Sequence, residues 1–285
     1  MRSLALGIGA ALTLSACGGR PRVSPNPSLP PTFANGIVYH GGRVLTAPKG
    51  PGLYYIWYGA WPEDMPRAIL TDLAKNLGGS PYFNFITTYH DSSGATVPNV
   101  VTFHGSTVDS YSQGMAPAST QIPLIVARAL ATAFPIDTSA VYVVLTSQDV
   151  VPSTFCSRLC GNWGHFEYQG ADIKYAWVGN PARCPTRCAP AQPATGPNGN
   201  AGVDAMAATL VHEFVNAITN SDRNGWYDSL GRPPASICGT PDLAFPKKYA
   251  VSNGALATAR LGRRHYFLTS NWVNARGGSC VLAYP

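Results

Sequence analysis

Residues 53–58 are Leu-Tyr-Tyr-Ile-Trp-Tyr, an unbroken apolar and aromatic run that ends at Gly59. A short continuous run of this kind is typical of a strand that is buried on both faces of a sheet. Residues 141–145 have the same character. Between these two runs, residues 65–77 and 121–134 carry apolar residues at helical spacing. Because strands alternate with helices, the sequence predicts an α/β fold.

The remaining elements follow the same alternation. The clearest helix is predicted at 202–219, a strand at 173–178, and a further strand at 265–268 in an otherwise irregular C-terminal region. Residues 82–89 and 97–103 are predicted to be two strands joined by a turn, and this hairpin makes the predicted sheet mixed. No second linker interrupts residues 36–285, so we expect a single domain with about three helices.

Composition excludes several classes of protein. Charged residues make up 12% of the chain, yet the hydrophobic share of 45% is that of a folded domain and excludes a disordered chain. The 29 glycines and 25 prolines predict many turns and argue against a coiled coil or a helical bundle. The net charge of +6 comes from dispersed basic residues, so we expect no nucleic-acid partner.

The N-terminus has the pattern of an export signal. Arg2 precedes an apolar stretch at 4–14, and Leu-Ser-Ala leads into Cys17. This ending resembles the lipobox of bacterial lipoproteins, which predicts a signal peptide at 1–16, lipidation of Cys17 and an anchor in the membrane. An ordinary signal peptide followed by an incidental cysteine is the alternative. Residues 17–35 are rich in proline and are predicted to be a disordered tether.

Apart from Cys17, the chain has six cysteines, and an even number in an exported chain favours three disulfides. We expect the C-terminal two to pair with each other and the other four to pair among themselves, with a connectivity that spacing leaves open. A structural zinc bound by those four is the alternative. The six are Cys156, Cys160, Cys184, Cys188, Cys238 and Cys280.

The helix at 202–219 carries the residues that point most directly to chemistry. His212-Glu213 resembles the start of the zinc-peptidase motif His-Glu-x-x-His, with Asn216 at the place of the second histidine. His212 would bind zinc and Glu213 would activate water, although an asparagine is a poor zinc ligand. His212, Asn216 and Thr219 lie on the helix face opposite the apolar stripe, and this face is predicted to meet solvent or a cleft. The other candidate ligands are His165, Asp222 and Asp228.

Longer stretches carry a resemblance to one family. These are residues 41–46, 56–61, 141–150, 155–161, 174–180, 184–189, 197–206, 219–220, 226–227, 238–239 and 280. From about residue 36 to the end, the chain resembles the EXORDIUM, or phosphate-induced protein 1, family, as a bacterial lipoprotein member. Plant members are secreted wall or apoplastic proteins without an established biochemical activity.

Bacterial relatives often carry His-Glu-x-x-Glu followed by Thr-Asp-Pro, which suggests a zincin-like metal site. This chain keeps His212 and Glu213 but has Asn216 and Asn220-Ser221 at the other positions. The resemblance therefore implies an exported, envelope-bound protein that binds a wall glycan or another protein, with a degenerate metal site and no cofactor. The alternative is a peptidase-like zinc metallohydrolase.

Overall fold

The computed structural model of the chain describes residues 36–189, 195–239, 241–275 and 277–285. The predicted signal peptide, Cys17 and the predicted tether lie outside the described residues. The strands are β1 (Ile37–Tyr39), β2 (Gly52–Tyr58), β3 (Thr102–Asp109), β4 (Ala140–Thr146), β5 (Gly161–Tyr168), β6 (Ala171–Val178), β7 (Trp226–Asp228), β8 (Tyr249–Ala250), β9 (Leu256–Ala257), β10 (Ala259–Leu261), β11 (Arg264–Tyr266), β12 (Asn271–Val273) and β13 (Ser279–Val281). The α-helices are α1 (Asp64–Leu77), α2 (Ile122–Thr132), α3 (Pro185–Cys188), α4 (Ala201–Thr219), α5 (Pro234–Ile237) and α6 (Pro241–Ala244).

A five-stranded sheet in the order β3-β2-β4-β6-β5 forms the centre of the domain. β2 pairs in parallel with β3 and β4, and β4 pairs in parallel with β6. Only the last pair, β5 with β6, is antiparallel. Every residue of β2 and β4 is buried, as the continuous apolar runs predict. The prediction of an α/β fold with one mixed sheet is confirmed.

Helices cover both faces of this sheet. Tyr55 and Trp57 of β2 face the larger core, which α1 and α4 complete. Tyr54 and Ile56 face the second core, which α2 completes. The chain thus runs from β2 through α1 to β3 on one side, and returns across the other face through α2 to β4. This is a doubly wound topology.

The predicted hairpin at 82–103 is wrong. Residues 82–89 hold a 3₁₀-helix, Asn84–Thr88, and β3 begins only at Thr102. Phe83, Ile86 and Tyr89 are fully buried at a spacing of three residues, which is the 3₁₀ period, while Phe85, also buried, gives the segment a partial alternation like that of a strand. The antiparallel partner in the sheet is β5, which the sequence did not predict because its polar and glycine residues break the apolar pattern.

The three long helices agree with the predictions at 65–77, 121–134 and 202–219. α3, α5 and α6 are single turns of four residues each. The C-terminal region consists of short two-stranded ladders, β8 with β9, β10 with β11 and β12 with β13. No helix within the described residues is long and apolar enough to cross a membrane.

Three disulfides tie the loops together, as predicted. The expected pairing of the C-terminal two cysteines is confirmed, and the other four form two bridges with the same sequence separation of 28. Because all four thiols of that group are consumed, the alternative of a four-cysteine zinc site is wrong. The pairs are Cys156–Cys184, Cys160–Cys188 and Cys238–Cys280.

Candidate functional site around helix α4

Helix α4 is almost entirely buried. The side chain of Asn200 accepts a hydrogen bond from the backbone N–H of Val203 and so caps the first turn. From there, 16 of its 19 residues are buried, and the helix packs against β5, β6, α1 and α5. Even Asn216 and Thr219, on the face predicted to meet solvent or a cleft, have no exposed surface. That prediction is wrong for Asn216 and Thr219, which are fully buried, while His212 is half-buried beside the short helix α5.

His212 contacts α5 rather than a cleft. Its Nε2 lies 3.1 Å from the hydroxyl of Ser236. Asn216, one turn later, accepts a hydrogen bond from the backbone N–H of Ala235 at 3.3 Å. Burial lowers the pKa of His212 to about 4, so the imidazole is neutral at physiological pH. Both polar side chains of this face therefore serve as contacts between α4 and α5.

Glu213 points towards β5. A methyl group on Gly161 would lie 3.0 Å from Glu213 Cγ, so strand and helix approach closely at this point. Burial raises the pKa of Glu213 to about 8, and the charge of Arg223 offsets this only in part. Its Oε2 atom has no hydrogen-bond partner within the described residues. At neutral pH the side chain is therefore a protonated, neutral acid.

The candidate metal ligands do not meet at His212. Within the described residues, a group of three potential ligand atoms occurs at His165, Asp172 and Asp222, and it does not include His212. Asp228 is held by the backbone and guanidinium of Arg232. Two of the three further ligands that the sequence suggested thus lie together, but away from His212. The residues around His212 do not fit a tetrahedral zinc site.

A lysine already occupies the centre of the His165 cluster. The side chain of Lys174 is completely buried, and its ammonium donates hydrogen bonds to Asp172 and Asp222. His165 Nδ1 lies 3.0 Å from Asp172. Burial raises the pKa of Asp172, but the hydrogen bonds from Lys174 and His165 outweigh this and hold it below its usual range. The ammonium takes the place that a metal ion would need.

The sequence analysis did not single out Lys174 or Asp172. The available signal was a lysine at the second position of the predicted strand at 173–178, two residues after an aspartate. A lysine on a strand that is otherwise apolar needs a carboxylate partner when it is buried. The second partner, Asp222, lies in the turn after α4 and could not have been paired with Lys174 from spacing, because the two residues are 48 positions apart.

Among the cavities lined by described residues, two lie at opposite ends of the strands of the sheet. The larger of the two, of about 360 Å³, lies at the amino ends of the strands, beside the segment 39–47 that leads to β2. Its polar groups are engaged within the protein: Arg43 donates to the carbonyl of Thr138, and Asp91 accepts from Thr46. The smaller cavity, of about 160 Å³, lies at the carboxyl ends of the strands.

The smaller cavity, which we term the crevice, is lined by the loops that follow three strands of the sheet. The loop after β2, the loop after β4, the loop after β6 and the first turn of α4 all contribute to its wall. Two disulfides join the loop after β4 to the loop after β6. The residues that line the crevice are Ala60, Trp61, Pro62, Glu63, Pro66, Ser147, Gln148, Asn180, Ala182, Asn200 and Val203.

The fold and these sites define a disulfide-linked, doubly wound α/β domain with a crevice at the carboxyl ends of its strands. Residues 37–253 match the family model described as Phosphate-induced protein 1 conserved region. The chain therefore belongs to this family, as the resemblance in the sequence implied.

Curated relatives come from plants. Protein EXORDIUM-like 5 of Arabidopsis thaliana is 33% identical over 270 residues, which cover 86% of this chain and 73% of that protein. Protein EXORDIUM-like 3 of the same plant is 29% identical over 259 residues, 82% of this chain and 75% of that protein. Protein PHOSPHATE-INDUCED 1 of Nicotiana tabacum is 28% identical over 234 residues, 71% of each chain. No solved structure matches the chain.

Replacing Lys174 by Met should destabilise the protein. Two carboxylates would lose their shared cation, and removal of one partner from a buried ion pair costs about 3 kcal/mol. The difference from the wild type should shrink below pH 4, where protonation of Asp172 removes the stabilisation that its lowered pKa provides at higher pH. Urea unfolding at pH 7 and pH 3 measures both effects. The exposed Lys75→Met is the control, and equal stability of the two variants at pH 7 would contradict this role for Lys174.

Replacing Glu213 by Gln should make the protein more stable at alkaline pH. Because the folded pKa of about 8 lies above the ordinary value of 4.5, folding holds a proton that the unfolded chain releases. The wild type therefore loses stability as pH rises from about 4.5 to 8, on the order of 4 kcal/mol in all. The variant should lack this loss. Thermal unfolding between pH 5 and pH 9 tests it, with Glu167→Gln on the exposed side of β5 as control; parallel curves for wild type and Glu213→Gln would refute it.

Proposed function

We propose that this protein is an exported, lipid-anchored member of the phosphate-induced protein 1 family that binds a ligand at the cell envelope without catalysing a reaction. The lipid on Cys17 would hold it at the outer membrane or the cell surface of a bacterium, and residues 17–35 would act as a tether. Its partner would be a wall glycan or another envelope protein.

The observation that carries the proposal is the use of the His212 face as a packing surface. His212 contacts Ser236, and Asn216 binds the backbone of α5. A catalytic metal site keeps an open coordination position that substrate can reach. The side chains that could hold a metal here instead support the C-terminal region, so a binding role fits these contacts better than hydrolysis.

Two further observations support export. Three disulfides are typical of proteins that fold in an oxidising compartment. The N-terminal sequence has the order of a charged residue, an apolar stretch and small residues before Cys17. A lipid chain contributes about 0.8 kcal/mol per buried CH₂, so several chains on one cysteine would make release from a membrane slow.

One observation favours a second function, a zinc-dependent metallohydrolase that uses His212 and Glu213. Glu213 is a buried acid with one unpartnered oxygen and a pKa of about 8, which are properties of a general acid or base. For zinc to bind, α5 would have to move away from His212, and ligands would have to come from outside the His165 cluster.

Metal analysis of the purified mature protein separates these two functions. A binding protein should contain zinc far below one equivalent after equilibration with a tenfold excess of zinc and desalting, and a chelator should not change its melting temperature. One equivalent of zinc that disappears in His212→Ala, together with hydrolysis of a casein substrate, would establish the hydrolase instead. His265→Ala, on the short strand β11, is the matched histidine control.

Replacing Cys17 by Ser should release the protein from the membrane. When the full-length gene is expressed in a diderm bacterium, the wild type should sediment with the membrane fraction and incorporate labelled palmitate. The variant should appear in the soluble extracellular or periplasmic fraction, because the lipid acceptor is gone. Retention of Cys17→Ser in the membrane fraction would refute the lipid anchor, while the three disulfides serve as an internal check that the variant was exported.

A further inference from the structure

The crevice lies where a doubly wound fold places its ligands. β2 and β4 are neighbours in the sheet, but the chain leaves β2 towards β3 and leaves β4 towards the opposite edge. Strands that part in this way leave a gap outside their carboxyl ends, and ligands of open α/β sheets bind there. The loops after both strands, at 60–63 and 147–148, line the crevice. Topology and cavity thus indicate the same place independently.

The crevice presents hydrogen-bond donors that the fold does not use. Asn180 and Asn200 each accept a backbone N–H through their side-chain oxygen, which fixes the orientation of both amides. Within the described residues, neither side-chain NH₂ group donates a hydrogen bond. Asn180 is mostly buried and Asn200 is half-buried, and neither NH₂ group is fully enclosed, so both remain accessible from the crevice. Oriented donors without a protein partner, on the wall of a cavity, favour a ligand that brings acceptors.

The opposite side of the crevice accepts hydrogen bonds and offers an apolar surface. Glu63 is exposed and makes no capping hydrogen bond to α1. Gln148 is also exposed, beside Ser147. Trp61, held by a hydrogen bond from its indole N–H to the carbonyl of Tyr58, forms an apolar wall together with two prolines. Donors, acceptors and an apolar wall thus surround one small volume.

The size of the crevice and the charges at its mouth restrict the class of ligand that it can bind. A volume of about 160 Å³ is close to the roughly 150 Å³ that admits benzene in an engineered cavity, so the crevice accommodates one six-membered ring. Glu63 in the wall and Asp64 in the first turn of α1 bring two carboxylates to the mouth, and Arg67, which donates to the carbonyl of Trp61, brings one positive charge, so these groups carry no net positive charge that would select a phosphate or carboxylate ligand. A neutral pyranose ring has hydroxyl groups that both donate and accept, and C–H faces that stack on an aromatic wall.

The crevice is held open by covalent bonds. Asn180 and Ala182 belong to the turn that leads to Cys184, which is bonded to Cys156 in the loop after β4. A methyl group on Gly202 of α4 would lie 2.6 Å from the side-chain oxygen of Asn180, so this turn also packs tightly on the helix. A pre-formed site loses little conformational entropy when it binds.

We propose that the crevice binds a single ring of a neutral polysaccharide, with the remainder of the glycan leaving through its open mouth. Asn180 and Asn200 donate to ring or hydroxyl oxygens, Glu63 and Gln148 bind hydroxyl groups, and Trp61 contacts a C–H face. This inference rests on the proposed binding function and names the ligand class for it.

The test uses the mature chain with four neutral probes, namely cellohexaose, chitohexaose, xylohexaose and laminarihexaose, and with hexagalacturonate as the acidic contrast. Calorimetric titration should show binding of at least one neutral probe and weaker binding of the acidic one. Glu63→Gln and Gln148→Ala should each weaken that binding roughly three- to tenfold, the effect of one hydrogen bond, and the double variant should weaken it more. Glu167→Gln should leave it unchanged.

A second readout locates the ligand without relying on variants. In heteronuclear NMR spectra, the indole N–H signal of Trp61, assigned from Trp61→Phe, should shift on addition of the binding probe. Absence of binding by all four neutral probes, binding that Glu63→Gln and Gln148→Ala leave unchanged, or a shift only with hexagalacturonate or with a proline-rich peptide would each overturn the inference. Those results would leave the non-catalytic function standing, whereas cleavage of a probe would overturn that function as well.

Discussion

Burial of β2 and β4 on both faces is the constraint on which the rest of the structure depends. Two strands without a polar face require cover from both sides, and the chain supplies it by sending α1 and α4 to one face and α2 to the other. That crossing makes the connections leave β2 and β4 in opposite directions. The crevice at their carboxyl ends is a geometric result of the same requirement, so hydrophobic burial also determines where a ligand can enter.

The charged residues in this interior are neutralised by the protein itself. Burial leaves His212 without its proton and Glu213 with one, so neither residue carries a charge at neutral pH. The ammonium of Lys174 lies between the carboxylates of Asp172 and Asp222. A pair of residues that looks like the start of a metalloenzyme motif can therefore exist in a helix whose polar groups need no metal.

The sequence predicted the parts of the fold that a single local pattern determines. Continuous apolar runs identified β2 and β4, helical spacing identified α1, α2 and α4, and the even number of cysteines identified three disulfides. It failed at 82–89, where buried apolar residues at a spacing of three accompany a 3₁₀-helix instead of a strand. The contacts of the candidate site could not be predicted from the sequence. The cover of His212 by α5, the pairing of Lys174 with Asp222 and the assembly of the crevice all join residues far apart in the chain, and no local pattern records such contacts.

The two disulfides with the same sequence separation determine what happens when a protease cuts the chain between them. They join residue 156 to residue 184 and residue 160 to residue 188. A protease that cuts the backbone anywhere between residues 160 and 184 leaves two fragments that remain joined by both bridges. Cleavage in the hairpin of β5 and β6 would thus be silent in a non-reducing gel and visible only after reduction. A chain with such bridges can be nicked there and still hold the walls of its crevice in place.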